Sequence, residues 1–537
     1  MKHIYYNGQV YTGSLPLAEA FVEENGRFTF AGDSSSALAM ASGEDTITDL
    51  KGNFVCPGFN DSHMHLLNYG NILSIAPLAR HTGSLKDMLD CLRNFLKEQA
   101  PEENGWLMGR GWNQDYFCDC QRMPNRWDLD QVTTSFPICA TRACGHCLVV
   151  NSRALELLGI DGHTAQPEGG RIGMENGEPD GRFFDNAMDL VYNAIPTPSM
   201  SAVKNMLRSA CRALNAYGVT SAQSDDYCVF RGIPWQQINK AYAELEAAGE
   251  LSVRVYEQAN FTTVSELEEY IASGHSTGSG SELFRFGPLK MLGDGALGAR
   301  TAFLSRPYAD DPATRGLPVF SQPLLEDMIL CAHKNGLQIC VHAIGDACLD
   351  WVLGAYEKAL KAYPRTDHRH GIVHCQITRP DQLKKIQELE LHVYAQSIFL
   401  DYDINIVEAR VGKELAGSSY SWKTLLDGGV SVSNGSDCPV EWPDCLASIQ
   451  CAVTRKTLHG TGPYLPKEAF TVQEALDSYT IRSAEASFEE NSKGRIQPGM
   501  LADFVILGQN PFETDVNRIK DIPVLATFLG GKLVYQK

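Results

Sequence analysis

Residues 54–65 read FVCPGFNDSHMH. The apolar start marks a strand, over 54–60, and it runs straight into Asp61-Ser62-His63-Met64-His65. In an extended segment, side chains two apart share a face. His63 and His65 therefore point the same way, and one cation can take both imidazoles. An isolated pair of this kind also occurs as two solvent-facing histidines on an edge strand. What lies further along the chain decides between the two.

Beyond this segment, short apolar runs alternate with helical stretches, the pattern of parallel βαβ units. The expected strands continue over 218–224, 251–257, 285–292, 337–343, 371–375, 391–397 and 430–437, with helices such as 201–218 and 378–390 between them. Eight strands counted this way predict an α/β fold, a (β/α)8 TIM barrel. The fourth carries Lys290, the fifth ends at His342, the sixth at His374 and the eighth at Asp437. Barrels of this kind place active sites at the C-terminal ends of their strands. Each residue alone has a plainer reading. His342 or His374 fits a hydrogen-bonded core histidine, and Asp437 after Gly435-Ser436 fits a helix N-cap. Lys290 in an apolar strand is the odd one, because an unpaired buried ammonium is costly. Six candidate metal ligands reaching one rim from five strands is what raises the set above its members.

Both ends of the chain look β-rich. Asn7-Gly8 and Asn25-Gly26 read as two-residue hairpin turns, and Gly530-Gly531 as a third. The expected organisation is a composite β-sandwich from 1–53 and 490–537, a barrel over 54–489 and a long insertion over 76–200 after the first strand. The 46 Lys and Arg against 65 Asp and Glu leave a net charge of −19. That balance gives no electrostatic reason to seek nucleic acid or an anionic membrane. No stretch approaches the roughly 20 apolar residues of a membrane span, and the first residues lack an apolar signal region. The expectation is a cytoplasmic protein, with its 16 scattered cysteines reduced and mostly buried. Cys118-x-Cys120 and Cys144-x-x-Cys147 lack a second pair at zinc-site spacing.

The segments VCPGFNDSHMHL, GPLKMLGDGALGARTA, VHAIGDAC, GIVHCQ, GSDCPVEWP and KGRIQPGMLADFVIL resemble the amidohydrolase superfamily. Within it they are similar to the YtcJ-like (amidohydrolase 3) branch, which includes N-substituted formamide deformylases. The resemblance covers almost the whole chain. It implies a metal-dependent barrel with a composite sandwich. It further implies that His63 and His65 bind one metal, His342 and His374 a second, that Lys290 carboxylated by CO2 bridges them, and that Asp437 touches the first. Imidazole and carboxylate donors suit Zn2+, two per chain, with Mn2+, Fe2+ or Co2+ as alternatives. A bound zinc lowers the pKa of its water to about 7. Asp437 is placed to take the proton of the attacking water and return it to the leaving nitrogen.

The expected reaction is hydrolysis of the C–N bond of a small N-substituted amide by metal-activated water. One rival is a mononuclear metal deaminase, which needs no carbamate. Another is a non-catalytic binding or regulatory barrel. The expected partner is a small-molecule substrate, and a homo-oligomer is left open. His146, Trp112 and Arg300 are candidate substrate contacts, although His146 equally suits a loop-holding histidine and Arg300 a salt bridge to Asp294 or another carboxylate. Trp106, Trp112, Trp127, Tyr116 and Phe117 suggest an aromatic pocket wall or, more plainly, the core of the insertion. Ser397 stands where the family often has Gln-Pro, and Asp185 where it often has Glu.

Overall fold

The computed structural model describes residues 1–102, 105–120 and 122–537. These form two compact units. The first comprises Met1–Asn68, Ala210–Val229 and Pro234–Lys537, and the second Tyr69–Ser209 with Phe230–Ile233.

The first unit is built on an eight-stranded sheet whose neighbours are all parallel. Its strands are Phe59–Met64, Val219–Ser224, Arg254–Asn260, Phe284–Leu292, Ile339–Ala343, Gly371–His374, His392–Ala395 and Val432–Asn434. Except near the ends of the fourth, they are buried throughout, as parallel strands covered by crossover helices must be. The helices between them carry their own start signals. Ser321 Oγ accepts from Leu324 N–H at the head of Gln322–Lys334, with a proline in the first turn. The sheet closes on itself where the Asp437 N–H donates to the His63 carbonyl at 2.8 Å and the His65 N–H to the Cys438 carbonyl at 2.8 Å. This is a TIM barrel.

The expected first strand is two strands. Phe54–Pro57 pairs antiparallel with Phe504–Leu507 in a five-stranded sheet drawn from both chain ends. Gly58 then separates it from the barrel strand Phe59–Met64. A Cβ on Gly58 would lie 2.3 Å from Thr220 Oγ1, so the chain can pass this close to the second barrel strand only as glycine. A four-stranded sheet of Lys2–Tyr6, Ala20–Glu24, Arg27–Gly32 and Thr46–Asp49 supplies the other layer. Tyr5, Phe21 and Phe28 meet Phe504 between them. Asn25-Gly26 and Gly530-Gly531 turn hairpins as expected. Asn7-Gly8 does not: its positive φ at Asn7 sends the chain from one sheet to the other.

The second unit is a six-stranded mixed sheet with an apolar cluster around Met88 and Trp112 and another around Phe183 and Val191. Among the described residues no helix is long and apolar enough to cross a membrane, and all 16 cysteines are free thiols, most of them buried.

At the opposite, N-terminal end of the barrel three histidines interlock. His370 Nδ1 accepts from the Ile339 N–H, so its Nε2 must donate to His333 Nδ1 at 2.8 Å, and His333 Nε2 donates to the Tyr363 carbonyl. His368 Nδ1 accepts from the His370 N–H while its Nε2 donates to the Leu389 carbonyl. No nitrogen is left for a further proton. Burial, reinforced by the neighbouring histidines, holds His370 well below the ordinary imidazole value, and burial lowers His368 as well. Below about pH 6.5 the unfolded chain takes up protons that these rings refuse, so their contribution is complete above that pH and lost as pH falls. In urea unfolding, the stability advantage of the wild type over His370→Gln is expected to shrink by up to ~1.4 kcal/mol per pH unit below pH 6.5. A constant difference from pH 7.5 to 5 would refute it.

Candidate metal centre

The C-terminal ends of five barrel strands deliver His63, His65, Lys290, His342, His374 and Asp437. His63, His65 and Asp437 each offer a ligand atom within 4.8 Å of the others. His65 Nε2 lies 3.1 Å and His63 Nε2 3.5 Å from Asp437 Oδ1. The His342 and His374 rings stand with centroids 4.4 Å apart, and that of His374 is 5.9 Å from that of His63.

Every one of the four rings is held by its Nδ1. The Gln258 amide nitrogen donates to the Ser62 carbonyl, so its oxygen must face His63, whose Nδ1–H donates to it at 2.7 Å. The Gln396 nitrogen likewise donates to the Tyr394 carbonyl, turning its oxygen to His374 Nδ1 at 2.7 Å. His65 Nδ1 donates to the Asp225 carbonyl and His342 Nδ1 to Asp294 Oδ1 at 3.0 Å. Asp294 is itself fixed by the N–H groups of Phe303, Ile344 and Gly345. The four Nε2 atoms are thereby left to face inward, the arrangement by which proteins orient metal-binding imidazoles. Burial keeps His63 and His374 well below the ordinary imidazole value, so both rings are neutral. At His65 burial opposes charge too, but the hydrogen bond and charge of Asp437 outweigh it and raise the ring to about 9. A proton holds His65 and Asp437 together where a divalent cation would compete for the same electron pairs.

Two of these residues sit on strained backbone. His374 has φ 75° and Asp437 φ 55°, in the left-handed region that costs a non-glycine residue about 1 kcal/mol or more. Their neighbours hold them there. Trp422 Nε1 donates to the His374 carbonyl at 3.0 Å. Asp61, whose carboxyl burial raises to about 7, accepts from the N–H groups of His63 and Ser436 and so ties the first strand to the turn after the eighth. At Gly435 an added Cβ would meet His63 N at 2.6 Å and its carbonyl oxygen at 2.8 Å. Gly435→Ala is therefore expected to lower stability by ~1–3 kcal/mol and to displace His63. Thermal unfolding and metal stoichiometry measured together would show it, and an unchanged pair would refute the close approach.

Lys290 is fully buried, and its Nζ has no hydrogen-bond partner. Its nearest carboxylate is Asp225 Oδ2, at 3.5 Å. Asp294 is engaged by His342. The residues present fit a metal: the Nε2 atoms face inward, the carboxylate lies among them, and one buried nitrogen has no hydrogen bond. His63, His65 and Asp437 would hold one ion, with His342, His374 and Lys290 beside them.

The other candidates have partners of their own. Arg300 is paired with Asp310 through Nε and Nη2, not with Asp294. Trp112 lies in the second unit with no exposed surface, and its Nε1 donates to the Ala140 carbonyl, which makes it a core residue rather than a pocket wall. Trp106 and Phe117 are buried there as well, while Tyr116 and Trp127 are exposed. His146, also in that unit, is exposed and bonded through Nδ1 to Asp185 Oδ1 at 3.1 Å. Ser397 begins a helical turn, its N–H donating to Asn434 Oδ1. The positioning residues Asp61, Asp225, Gln258, Asp294 and Gln396 were not assigned this role from the sequence. Polar residues in otherwise apolar strands, at Gln258 and Gln396, are the signal that could have found two of them.

Residues 46–535 match the amidohydrolase family. The chain belongs to that family. It is 33% identical to the putative amidohydrolase YtcJ of Bacillus subtilis over the full length of both. It is 25% identical to the N-substituted formamide deformylase of Arthrobacter pascens, over 97% of this chain and 95% of that one. Among solved structures, an uncharacterized metal-dependent hydrolase from Pyrococcus furiosus superposes with a TM-score of 0.78 at 30% identity, covering 96% of this chain and all of the other. The amidohydrolase match and the barrel agree with the expected fold.

Proposed function

We propose that the protein is a metal-dependent hydrolase that cleaves the C–N bond of a small N-substituted, non-peptide amide. The observation that carries this reading is the set of four Nδ1-anchored histidines whose Nε2 atoms share one strand rim with Asp437 and with the buried nitrogen of Lys290, which makes no hydrogen bond. The similarity to a formamide deformylase supports the bond type. Zn2+ is the metal proposed, two per chain, with Lys290 carboxylated by CO2 and bridging them. A cytoplasmic setting belongs to the same proposal, in keeping with free and mostly buried thiols.

A bound divalent cation supplies a Lewis acid for the amide carbonyl and lowers the pKa of a coordinated water. The protein's residues do the rest. The Asp437 N–H on the His63 carbonyl fixes the turn that carries the carboxylate, and Gln258, Gln396 and Asp294 stop the imidazoles from turning. Asp437 takes the proton from the attacking water and delivers it to the leaving nitrogen, so one carboxylate serves first as base and then as acid.

A mononuclear reading has its own support. Among the described residues only His63, His65 and Asp437 form a three-residue group of donors within 4.8 Å, and Lys290 has Asp225 within reach. Metal analysis separates the two: about two ions per chain support the bridged site, and one supports a deaminase-type centre. The activity itself is tested with the zinc- and manganese-loaded protein on N-formyl, N-acyl, urea and cyclic amide compounds. Failure to hydrolyse any of them would overturn the proposal.

A further inference from the structure

Three of the four imidazole anchors are side chains. That of His65 is the main chain: its Nδ1–H donates to the Asp225 carbonyl at 3.1 Å. The aim of a carbonyl is set by the plane of its peptide unit, which also carries the N–H of the next residue. That N–H, of Asp226, donates to Glu257 Oε1 at 3.0 Å. One peptide unit therefore joins His65 on one side to Glu257 on the other, as imidazole N–H to carbonyl and amide N–H to carboxyl.

Nothing in the chemistry above uses Glu257, and its setting is costly. It is fully buried on the third barrel strand, one residue before the Gln258 that anchors His63. Burial, and after it the charge of Asp226, raises its carboxyl well above the ordinary range, so the group is neutral. Its Oε2 has no hydrogen-bond partner. An apolar residue of similar size would avoid that cost. What it would lack is an acceptor for the Asp226 N–H.

The surrounding bonds leave this one task to Glu257. The Asp225 N–H donates to the Met64 carbonyl at 3.0 Å, and Asp226 Oδ1 accepts from the Leu67 N–H at 2.8 Å. These lace the chain together on either side of His65 and fix its path. Neither is made by the peptide unit between Asp225 and Asp226, whose tilt is set by Glu257. A hydrogen bond at the N–H of that unit also polarises its carbonyl and tightens its hold on the imidazole.

We propose that Glu257 is a positioning residue for His65, acting through the Asp225–Asp226 peptide unit to fix the plane of the ring and the direction of its Nε2. The inference rests on the metal-hydrolase reading, in which His65 is a ligand, and adds to it a residue outside the ligand set. The test compares Glu257→Gln, whose amide oxygen keeps a neutral acceptor of the same shape, with Glu257→Leu, which fills the space without one. One readout is the His65 Nδ1–H resonance in proton–nitrogen NMR spectra of the metal-free, 15N-histidine-labelled protein. The other is zinc affinity, measured by competition with a chelator. Glu257→Gln is expected to keep the resonance and the wild-type affinity. In Glu257→Leu the resonance is expected to be lost to exchange with water, and zinc to bind about 10–100-fold more weakly, the usual loss on removing an outer partner of a metal ligand. Space filling alone would spare both readouts in the leucine variant. Glu257→Asp, a gentler change that withdraws the acceptor by one methylene, is expected to move both in the same direction and serves if the leucine variant does not fold. An unchanged resonance and wild-type affinity in the leucine or aspartate variant overturns the relay and leaves the hydrolase standing. A glutamine variant as weak as the leucine one overturns it as well. A wild-type protein that takes up no zinc, with the resonance kept in Glu257→Gln and lost in Glu257→Leu, supports the relay and overturns the metal-hydrolase reading instead.

Discussion

In Asp437→Asn, kcat is expected to fall by about 10²–10⁴-fold, the usual contribution of a general acid–base group, while the barrel and most of the bound metal persist. The side chains are nearly the same size, so the turn after the eighth strand keeps its shape, with the Asp437 N–H on the His63 carbonyl. What changes is proton chemistry. The carboxylate is held below its ordinary range: burial acts against its charge but is outweighed by the His65 hydrogen bond and the nearby imidazoles. It is thus an anion ready to accept a proton, and an amide oxygen in its place cannot hold one. Single-turnover kinetics on the metal-loaded variant, with circular dichroism and metal content measured on the same sample, decide the matter. More than about a tenth of the wild-type kcat would show that another group carries the proton.

Lys290→Ala is expected to lose one or both metals and most of the activity, with partial recovery when formate, acetate or propionate is supplied. The argument begins from cost. A buried ammonium with no hydrogen bond is expensive unless paired, and the pairing here is a 3.5 Å approach to Asp225 Oδ2. As a neutral amine, Lys290 attacks the carbon of CO2: the N–C bond forms, the nitrogen loses a proton to solvent, and the product is a carbamate with two oxygens. That anion would replace an ill-suited nitrogen with a bridging ligand for two cations. Added carboxylic acids restore the two oxygens without the tether, which is why rescue distinguishes this role from packing. Full metal content and activity in the alanine variant would make Lys290 a structural partner of Asp225 and favour the mononuclear site.

Much of the metal-ligand set was legible before any folding was considered. His63, His65, Lys290, His342, His374 and Asp437 each end or interrupt an apolar β-run, and a parallel barrel brings all such ends to one rim. The substrate contacts were not legible in the same way. Trp112 and His146 stand in segments that looked like an active-site mouth. Whether an aromatic ring lines a pocket or fills a core depends on which face its strand buries, and Trp112 is buried against the Ala140 carbonyl.

The alternation of strands and helices, reinforced by histidines at strand ends, was enough to predict the barrel and the rim on which the candidate ligands stand, because hydrophobic periodicity and local residue chemistry are properties of short segments. Other features emerged only when the strands closed. The break at Gly58 assigns half of the first apolar run to a different sheet. The Nδ1 acceptors at Gln258, Asp225, Asp294 and Gln396 set which nitrogen of each imidazole faces inward. The pairing of Lys290 with Asp225 rather than Asp294 follows from which side chains the neighbouring strands bring alongside. Such contacts join residues up to hundreds of positions apart, and only the three-dimensional packing of the strands determines which of the compatible partners meet.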